Sequence, residues 1–265
     1  MTNDKLNTIG LPFKISDLPE GVRMDSDGLH INPYVKGTVV LRLEGRPSES
    51  EFTLKIFAGK YSHVKIVLFQ NLDSKADLQM QTITQAGESA RIDLLQFHLG
   101  GASVNGSIIQ NADEQSEINT DLLCRAEGRQ KYRFEVKNVY PKKNGRGKIL
   151  AKGTALDSSQ ISMNGGIKIT RKGGGTDTHL KQDCLLLSRN ANIKSTPALQ
   201  IDTNDVQAGH SASVTNLNDE SLFYLTSRGV DEKSARKMLM EGFMAEQLDK
   251  INDLPELKKE VQSLI

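Results

Sequence analysis

Three residues of this sequence carry side chains suited to metal or sulfur chemistry, namely His210, Cys124 and Cys184. His210 lies between two small residues, Gly209 and Ser211, in a segment of short β-like pieces. A neutral imidazole can bind iron, and its pKa lies close enough to neutrality to move protons. From the residue pattern alone, a histidine hydrogen-bonded within a turn is the more common arrangement, so both interpretations stay open.

The two cysteines each follow or begin an apolar run, Leu122–Leu123–Cys124 and Cys184–Leu185–Leu186. A free cysteine in such a run is usually a small core residue. Neither belongs to a C-x-x-C pair, so no preformed zinc or cluster motif is visible. Two cysteines are also too few for a disulfide framework, which indicates a reducing cytoplasm.

Composition narrows the classes of partner. The net charge is +1, aromatic residues make up 5% and tryptophan is absent, which disfavours a nucleic-acid-binding platform. No long apolar run and no charged-then-apolar leader is present, so neither a membrane span nor a signal peptide is predicted. A basic cluster surrounds a Gly-rich turn without completing a phosphate loop, and we interpret it as an exposed face. Its members are Lys137, Lys142, Lys143, Arg146, Lys148 and Lys152.

Short apolar or alternating runs recur from about residue 37, with centres roughly 12–14 residues apart. Such strands are typical of a sandwich, a barrel or a parallel β-helix. Few tight hairpin signals and many small polar strand residues favour the β-helix, whose coils stack into ladders. The predicted fold is therefore mainly β, with a β-helix over residues 36–218 and a polar lead-in over residues 1–35.

Residues 219–265 are predicted to be helical and to cap the open end of the β-helix. Asp231 is placed to cap a helix N-terminus, and Pro255 fits the first turn of a last helix. An apolar stripe runs through the first of these helices at mostly three- to five-residue spacing. It consists of Ala235, Met238, Leu239, Phe243, Leu248 and Ile251.

The densest motif runs from Gln182 to Gly229. It reads Gln182-x-x-Leu185–Leu186–Leu187–Ser188, then Pro197-x-Leu199-x-Ile201, then Asp205–Val206-x-x-x-His210-x-Ala212-x-Val214, and it closes with Leu222–Phe223–Tyr224–Leu225-x-x-Arg228–Gly229. This order and spacing resemble the core of the SufB/SufD family, the scaffold proteins of the SUF iron–sulfur cluster assembly machinery.

The resemblance implies a right-handed parallel β-helix that dimerises with itself or with a paralogue. It implies that His210 lies at the dimer interface as a candidate iron or cluster ligand, and that the iron–sulfur cluster is assembled there transiently. It also implies that the C-terminal helices bind SufC, an ABC-type ATPase, which binds ATP in place of this chain. The residues we assign to that contact are Phe223, Tyr224, Arg228, Gly229, Met238, Leu239 and Phe243. Lys152–Gly153 weakly resembles a Lys–Gly pair of the family core.

Two positions depart from the SufB pattern. Ala191 stands where SufB-type proteins carry a cysteine, and Ser211 stands where they carry a glutamate after the histidine. A thiolate persulfide acceptor is therefore missing from its usual place. The site is SufD-like, or the chain is a short, minimal member of the kind known chiefly from archaea.

Three functional hypotheses follow. The first is a scaffold subunit that is not itself an enzyme. The second is an interaction module that recruits or regulates the ATPase without binding metal. The third is a β-helix enzyme acting on polysaccharides, which the scarcity of aromatic residues disfavours.

Overall fold

The computed structural model describes residues 13–15, 18–47, 49–217 and 219–265. The chain is a parallel β-solenoid of about seven turns, followed by three helices. The strands are β1 (Lys14–Ile15), β2 (Val22–Asp25), β3 (Gly28–Ile31), β4 (Lys36–Gly45), β5 (Glu51–Ala58), β6 (His63–Leu72), β7 (Asp77–Ala86), β8 (Arg91–Gly100), β9 (Ser103–Asn111), β10 (Glu117–Ala126), β11 (Lys131–Tyr140), β12 (Arg146–Ala155), β13 (Gln160–Ile169), β14 (Thr176–Leu186), β15 (Asn192–Ile201) and β16 (Val206–Asn216). The helices are α1 (Asp219–Ser227), α2 (Glu232–Asp249) and α3 (Pro255–Leu264).

Each coil contributes one strand to each of two facing sheets. Sheet A has the order β1-β4-β6-β8-β10-β12-β14-β16, and sheet B has the order β15-β13-β11-β9-β7-β5-β3-β2. All pairs are parallel except β1 with β4 and β2 with β3. The prediction of a parallel β-helix is therefore confirmed.

The core lies between the two sheets and follows from the period-two alternation of each strand. In β11, for example, Phe134 and Val136 are fully buried while Arg133 and Glu135 are exposed. Parallel register stacks each inward residue on its equivalent in the next coil, so the inward residues form rows along the solenoid that are mainly apolar. This continuous core keeps the successive coils in alignment.

One corner of the solenoid is built from a column of residues with left-handed backbone conformation. Each of them donates its backbone N–H to a carbonyl oxygen in the turn of the following coil, as Tyr61 does to Glu88 at 3.0 Å. The column consists of Tyr34, Tyr61, Ser89, Gln115, Asn144 and Gly175, with φ between 54° and 75°. At Gly175 a side chain would collide with the Asn144 amide oxygen. The corner therefore ties coil to coil through backbone hydrogen bonds.

The solenoid begins earlier than the sequence predicted. Strands β2 and β3 form an antiparallel hairpin within sheet B, and β3 pairs in parallel with β5. Leu29 and Ile31 of this hairpin are buried in the core. The predicted lead-in is therefore wrong for residues 22–31, because its apolar residues are too few to show a periodicity yet pack against the first coil. Residues 1–12, 16 and 17 of that lead-in lie outside the described residues.

Helices α2 and α3 lie on the outer face of sheet A. Met240, Met244 and Leu248 of α2 pack with Phe69 and Phe97 of the sheet. Since α2 and α3 cover this side, they do not cap the open end, and the prediction is wrong for these two helices. The outward-facing apolar residues of β6, β8 and β10 explain this position, because the helices bury them. Asp231 caps α2 and Pro255 starts α3, as predicted.

Candidate functional site

The solenoid ends in two full-length edge strands, β15 of 10 residues and β16 of 11 residues. In the described part of the chain each pairs on one side only, β15 with β13 and β16 with β14. We call this the open end. Its unpaired backbone N–H and C=O groups are available to another strand.

His210 belongs to the inward-facing row of β16. It stands in register with Leu180 of β14, and Val214 of the same row stands in register with Cys184. Leu180 and Cys184 are fully buried because β16 covers them, whereas His210 is exposed and Val214 is 43% exposed. His210 therefore faces the space between the two sheets, at the point where the next coil is missing.

The opposing row comes from β15. Ser195, Leu199 and Ile201 stand in register with inward residues of β13, and Ile201 is 38% exposed. The Ser195 hydroxyl donates to the Gln182 side-chain oxygen at 3.2 Å, which ties this row to the coil below. The open end is thus an apolar surface that carries one imidazole.

His210 is an incomplete metal site by itself. No cluster of three or more histidine, cysteine, aspartate or glutamate residues occurs within the described residues. Its side chain makes no hydrogen bond or ion pair with any described residue. Ala191 packs partly buried against the core, and Ser211 lies exposed beside His210. An iron ion held here needs further ligands from elsewhere.

Cys124 and Cys184 lie in one inward row, separated by Gly153 of β12. Both are free and fully buried. Burial raises the pKa of the Cys184 thiol to about 12 and raises the pKa of the Cys124 thiol well above its usual value. Neither is a thiolate near neutral pH, so neither has the form that binds metal or carries a persulfide.

The same inward row contains a buried histidine that the sequence did not single out. His98 Nδ1 lies 2.7 Å from Gln70 Oε1, and His98 Nε2 lies 3.0 Å from Gln96 Oε1. Burial lowers the pKa of His98 to about 3, so the ring is neutral. A neutral imidazole donates from one nitrogen only, and here Nδ1 donates to Gln70 Oε1. We therefore orient the Gln96 amide so that its nitrogen faces His98 Nε2 and its oxygen accepts from the Thr82 hydroxyl. The sequence signal for this buried polar group was the pair Gln96 and His98, two positions apart in the apolar strand β8.

Lys152 lies on the outer face of sheet A, buried beneath α2. Its Nζ donates to the Phe243 carbonyl oxygen at 2.9 Å and pairs with Glu246 Oε2 at 3.1 Å. The same nitrogen lies 5.2 Å from the centre of the Phe243 ring. Lys152 therefore holds α2 against sheet A, a role separate from that of His210.

Further ion pairs fasten the helices, and the sequence did not reveal them. Lys250 Nζ lies 2.6 Å from the carboxylate of Asp121, whose side chain is 5% exposed. Burial raises the pKa of Asp121, while Lys250 opposes that rise. Lys65 also pairs with Asp253 at 2.7 Å. An aspartate next to the apolar pair Leu122–Leu123 was the one sequence signal of this contact.

The residues assigned to partner binding fall into two groups. Phe223, Tyr224 and Met238 are 72%, 59% and 51% exposed on α1 and α2. Arg228 is exposed too, with its guanidinium 5.3 Å from the Tyr224 ring centre. Gly229 ends α1 with φ of 89°. By contrast, Leu239 is half-buried, and Phe243 packs partly buried against the apolar cluster on sheet A.

Residues 29–243 match the family model described as SUF system FeS cluster assembly, SufBD core domain. The chain therefore belongs to the SufB/SufD family. It is 32% identical over 149 residues to the iron-sulfur cluster assembly protein SufD of Bacillus subtilis, covering 56% of this chain and 33% of that protein. It is 24% identical over 210 residues to a SufBD family protein of Pyrococcus horikoshii, covering 78% and 42% respectively.

A third relative, the SufD protein of Escherichia coli, is 32% identical over 104 residues, which cover 39% of this chain and 25% of that protein. The matched regions thus span a quarter to less than half of the length of these three relatives. The description of the matched family concerns a core domain of the SUF system of iron–sulfur cluster assembly. Among the helices described, none has the length and apolar character needed to cross a membrane.

Proposed function

We propose that this chain is a scaffold subunit of the SUF assembly complex, with no catalytic activity of its own. The observation that carries the proposal is the open end, where two full-length edge strands, an apolar surface and His210 are exposed together. A monomer that ends this way leaves both strand pairing and a metal site unfinished. A second chain supplies both.

The second chain is another copy or a SufB/SufD paralogue, bound through the β-helix. Edge strands of ten or eleven residues can pair with a partner strand through many main-chain hydrogen bonds. Val214 and Ile201 add exposed apolar area at the same place. Family membership supports partners within the SUF complex.

His210 then acts as an iron or cluster ligand at the interface between the two chains. Imidazole suits iron, and the covering chain supplies the remaining ligands. The cluster is assembled there and passed on, so it is cargo of the complex. The family assignment supports involvement of an iron–sulfur cluster.

The ATPase subunit of the ABC type binds at α1 and the start of α2. Phe223, Tyr224 and Met238 form the exposed apolar part of this surface, and Arg228 borders it. Exposed aromatic side chains beside an arginine are typical anchors of protein interfaces. The ATPase binds ATP, since this sequence completes no phosphate loop. The complex works in the cytoplasm.

A second candidate function is an interaction module that recruits or regulates the ATPase without binding metal. The specific observation in its favour is the sulfur chemistry of this chain. Cys124 and Cys184 are buried as protonated thiols, and Ala191 provides no replacement. The exposed surface of α1 serves this function as well as it serves the scaffold.

The test is anaerobic purification of the tagged chain from its host, with iron, labile sulfide and co-purifying proteins measured together. The His210→Ala variant is compared with His179→Ala, a matched control because His179 is exposed on the outward side of the neighbouring strand β14. We expect His210→Ala to lose most of the iron while it keeps the ATPase and the dimer. His179→Ala keeps all three.

Equal iron in His210→Ala and the parent protein contradicts the ligand role. Recovery of the ATPase without iron from the parent protein favours the interaction module. Recovery of neither ATPase nor iron contradicts the scaffold function as a whole.

A further inference from the structure

The outer face of sheet B carries a concentration of positive charge over strands β11, β13 and β15. Alternation in these strands turns every second residue outward, as shown by the buried residues between them. The cations of this surface, which we call the basic face, are Lys131, Arg133, Lys137, Lys168 and Lys194. Glu135 is the one carboxylate among the outward residues of these strands.

These charges are not neutralised within the described part of the chain. None of the five cations, nor Glu135, takes part in an ion pair or a side-chain hydrogen bond there. The charge is also local: residues 129–200 contain 15 basic and 4 acidic residues, a net of +11, whereas the whole chain carries +1. An uncompensated patch of this kind attracts an anionic partner.

The shape of the basic face is a trough along β13. The trough is a shallow cleft of about 270 Å³ lined by β11, β13 and β15, and at Glu135 and Asn164 it meets another cleft, of about 320 Å³, that crosses β5, β7 and β9. In the trough, Gly166 of β13 leaves the floor low, and the aliphatic stem of Lys137 borders Gly166. The walls are β11 and β15, two strand spacings or about 9.6 Å apart. That width accommodates one extended chain.

We propose that the basic face binds an extended acidic peptide segment of a partner protein, lying along β13. Same-face residues in a strand repeat every ~6.6 Å, which sets the spacing of Lys131 and Arg133 along β11. An extended peptide with a carboxylate at every second residue has the same repeat. Its carboxylates accept charge-assisted hydrogen bonds from β11 on one side and from Lys194 on the other.

Two features favour a peptide over other polyanions. No aromatic side chain points outward from these three strands, so bases have no stacking surface. Glu135 lies in the middle of the trough, where it can accept a hydrogen bond from a peptide N–H, a donor that a chain of phosphates lacks. This inference goes beyond cluster assembly and requires neither the open end nor the helices.

The test measures binding of a fluorescent decapeptide of alternating glutamate and serine to the purified full chain by anisotropy. A peptide of the same composition with its glutamates in one block, oligothymidine, and vesicles containing phosphatidylserine are measured alongside. The variant Lys137→Glu/Lys168→Glu/Lys194→Glu reverses three charges of the basic face. The matched control, Lys36→Glu/Lys55→Glu/Lys75→Glu, makes the same change in charge at exposed lysines of the first coils.

We expect the basic-face variant to raise the Kd for the alternating peptide at least about tenfold, because three attractions become repulsions, and the control to change it less than about twofold. Added salt should weaken binding. Gly166→Leu fills the trough without backbone strain and should also weaken binding, while circular dichroism shows both variants folded. Equal binding of the blocked peptide, stronger binding of oligothymidine or vesicles, or an equal loss in the control overturns the proposal.

Discussion

The two ends of the solenoid are finished in opposite ways. At the first end, which we call the closed end, β2 is four residues long, and β1 and β2 both run antiparallel to their neighbours. Phe13 covers the first coil with its ring 5.1 Å from that of Phe52, edge to face. At the open end, β15 and β16 keep their full length and the rows of Leu199 and His210 remain uncovered.

The contrast shows that exposure at the open end is not a general property of this solenoid. Short antiparallel strands are a recognised means of blocking an edge from further pairing. The chain uses that means at one end and leaves ten- and eleven-residue edges at the other. The difference supports a partner chain at the open end.

The largest expected effect on stability comes from making the same substitution, leucine to alanine, at each of the two ends. Leu29→Ala at the closed end removes a fully buried side chain, and we expect a loss of about 2–5 kcal/mol in the free energy of unfolding. Leu199→Ala at the open end removes a half-buried one and should cost less than about 1 kcal/mol in the monomer. Urea unfolding at low protein concentration measures both. Equal losses would show that the open end is as well packed as the closed end.

In the middle of the solenoid, between the two ends, His98 makes the free energy of unfolding depend on pH. The pKa of His98 is lowered to about 3 in the folded state, so the unfolded chain binds a proton there first as the pH falls below about 6.5. Stability from this group is therefore present above pH 6.5 and lost towards pH 3. At pH 5 we expect a loss of about 2 kcal/mol relative to pH 7.

The His98→Gln variant checks this prediction, because glutamine keeps a polar side chain and does not titrate. Urea unfolding of both proteins between pH 5 and pH 7 gives the comparison, and the variant should show a flatter dependence on pH. Parallel curves for the two proteins would mean that His98 is protonated equally in both states.

The smallest effect on the monomer is expected for Val214→Arg. Val214 is 43% exposed, so an arginine there should change the free energy of unfolding by no more than about 0.5 kcal/mol. It should nevertheless weaken association at the open end, because it places a charge within the apolar surface that the partner covers. Sedimentation across a range of protein concentrations measures this association. The control is Thr53→Arg, at an exposed position of β5. A dimer unaffected by Val214→Arg would place the interface elsewhere.

The strands were predictable from the sequence because alternation and turn residues are local features. Asp231 and Pro255 were predictable for the same reason, since a cap and a first-turn proline act within a few residues. The side of the solenoid that α2 covers was not predictable from the sequence. Its apolar residues occupy more than one side of the helix, so periodicity selected Met238, which is exposed, and missed Met240, which is buried.

The candidate site was predictable in part. The motif selected His210 as a candidate, but its place in the inward row depends on the register between β14 and β16, and the lack of a second ligand among the described residues is a feature of the structure. The buried contacts of Lys152 and Asp121 join residues about 90 and 130 positions apart in the sequence. A pattern that spans only a few neighbouring residues cannot predict such contacts. A sequence motif thus selects a candidate residue, whereas the surroundings of that residue are visible only in the structure.

The column of left-handed residues at one corner has a mechanical consequence. Its backbone hydrogen bonds, such as that from Gln115 N–H to the Lys143 carbonyl, run from coil to coil along the axis. A pulling force along that axis loads these bonds in series, so the molecule behaves as a stack of separable layers. The last coil is bonded on one side only, and Gly175 forms its corner bond to Asp205. Because bonds in series all carry the same force, the weakest interface between two coils separates first, and the stack opens layer by layer.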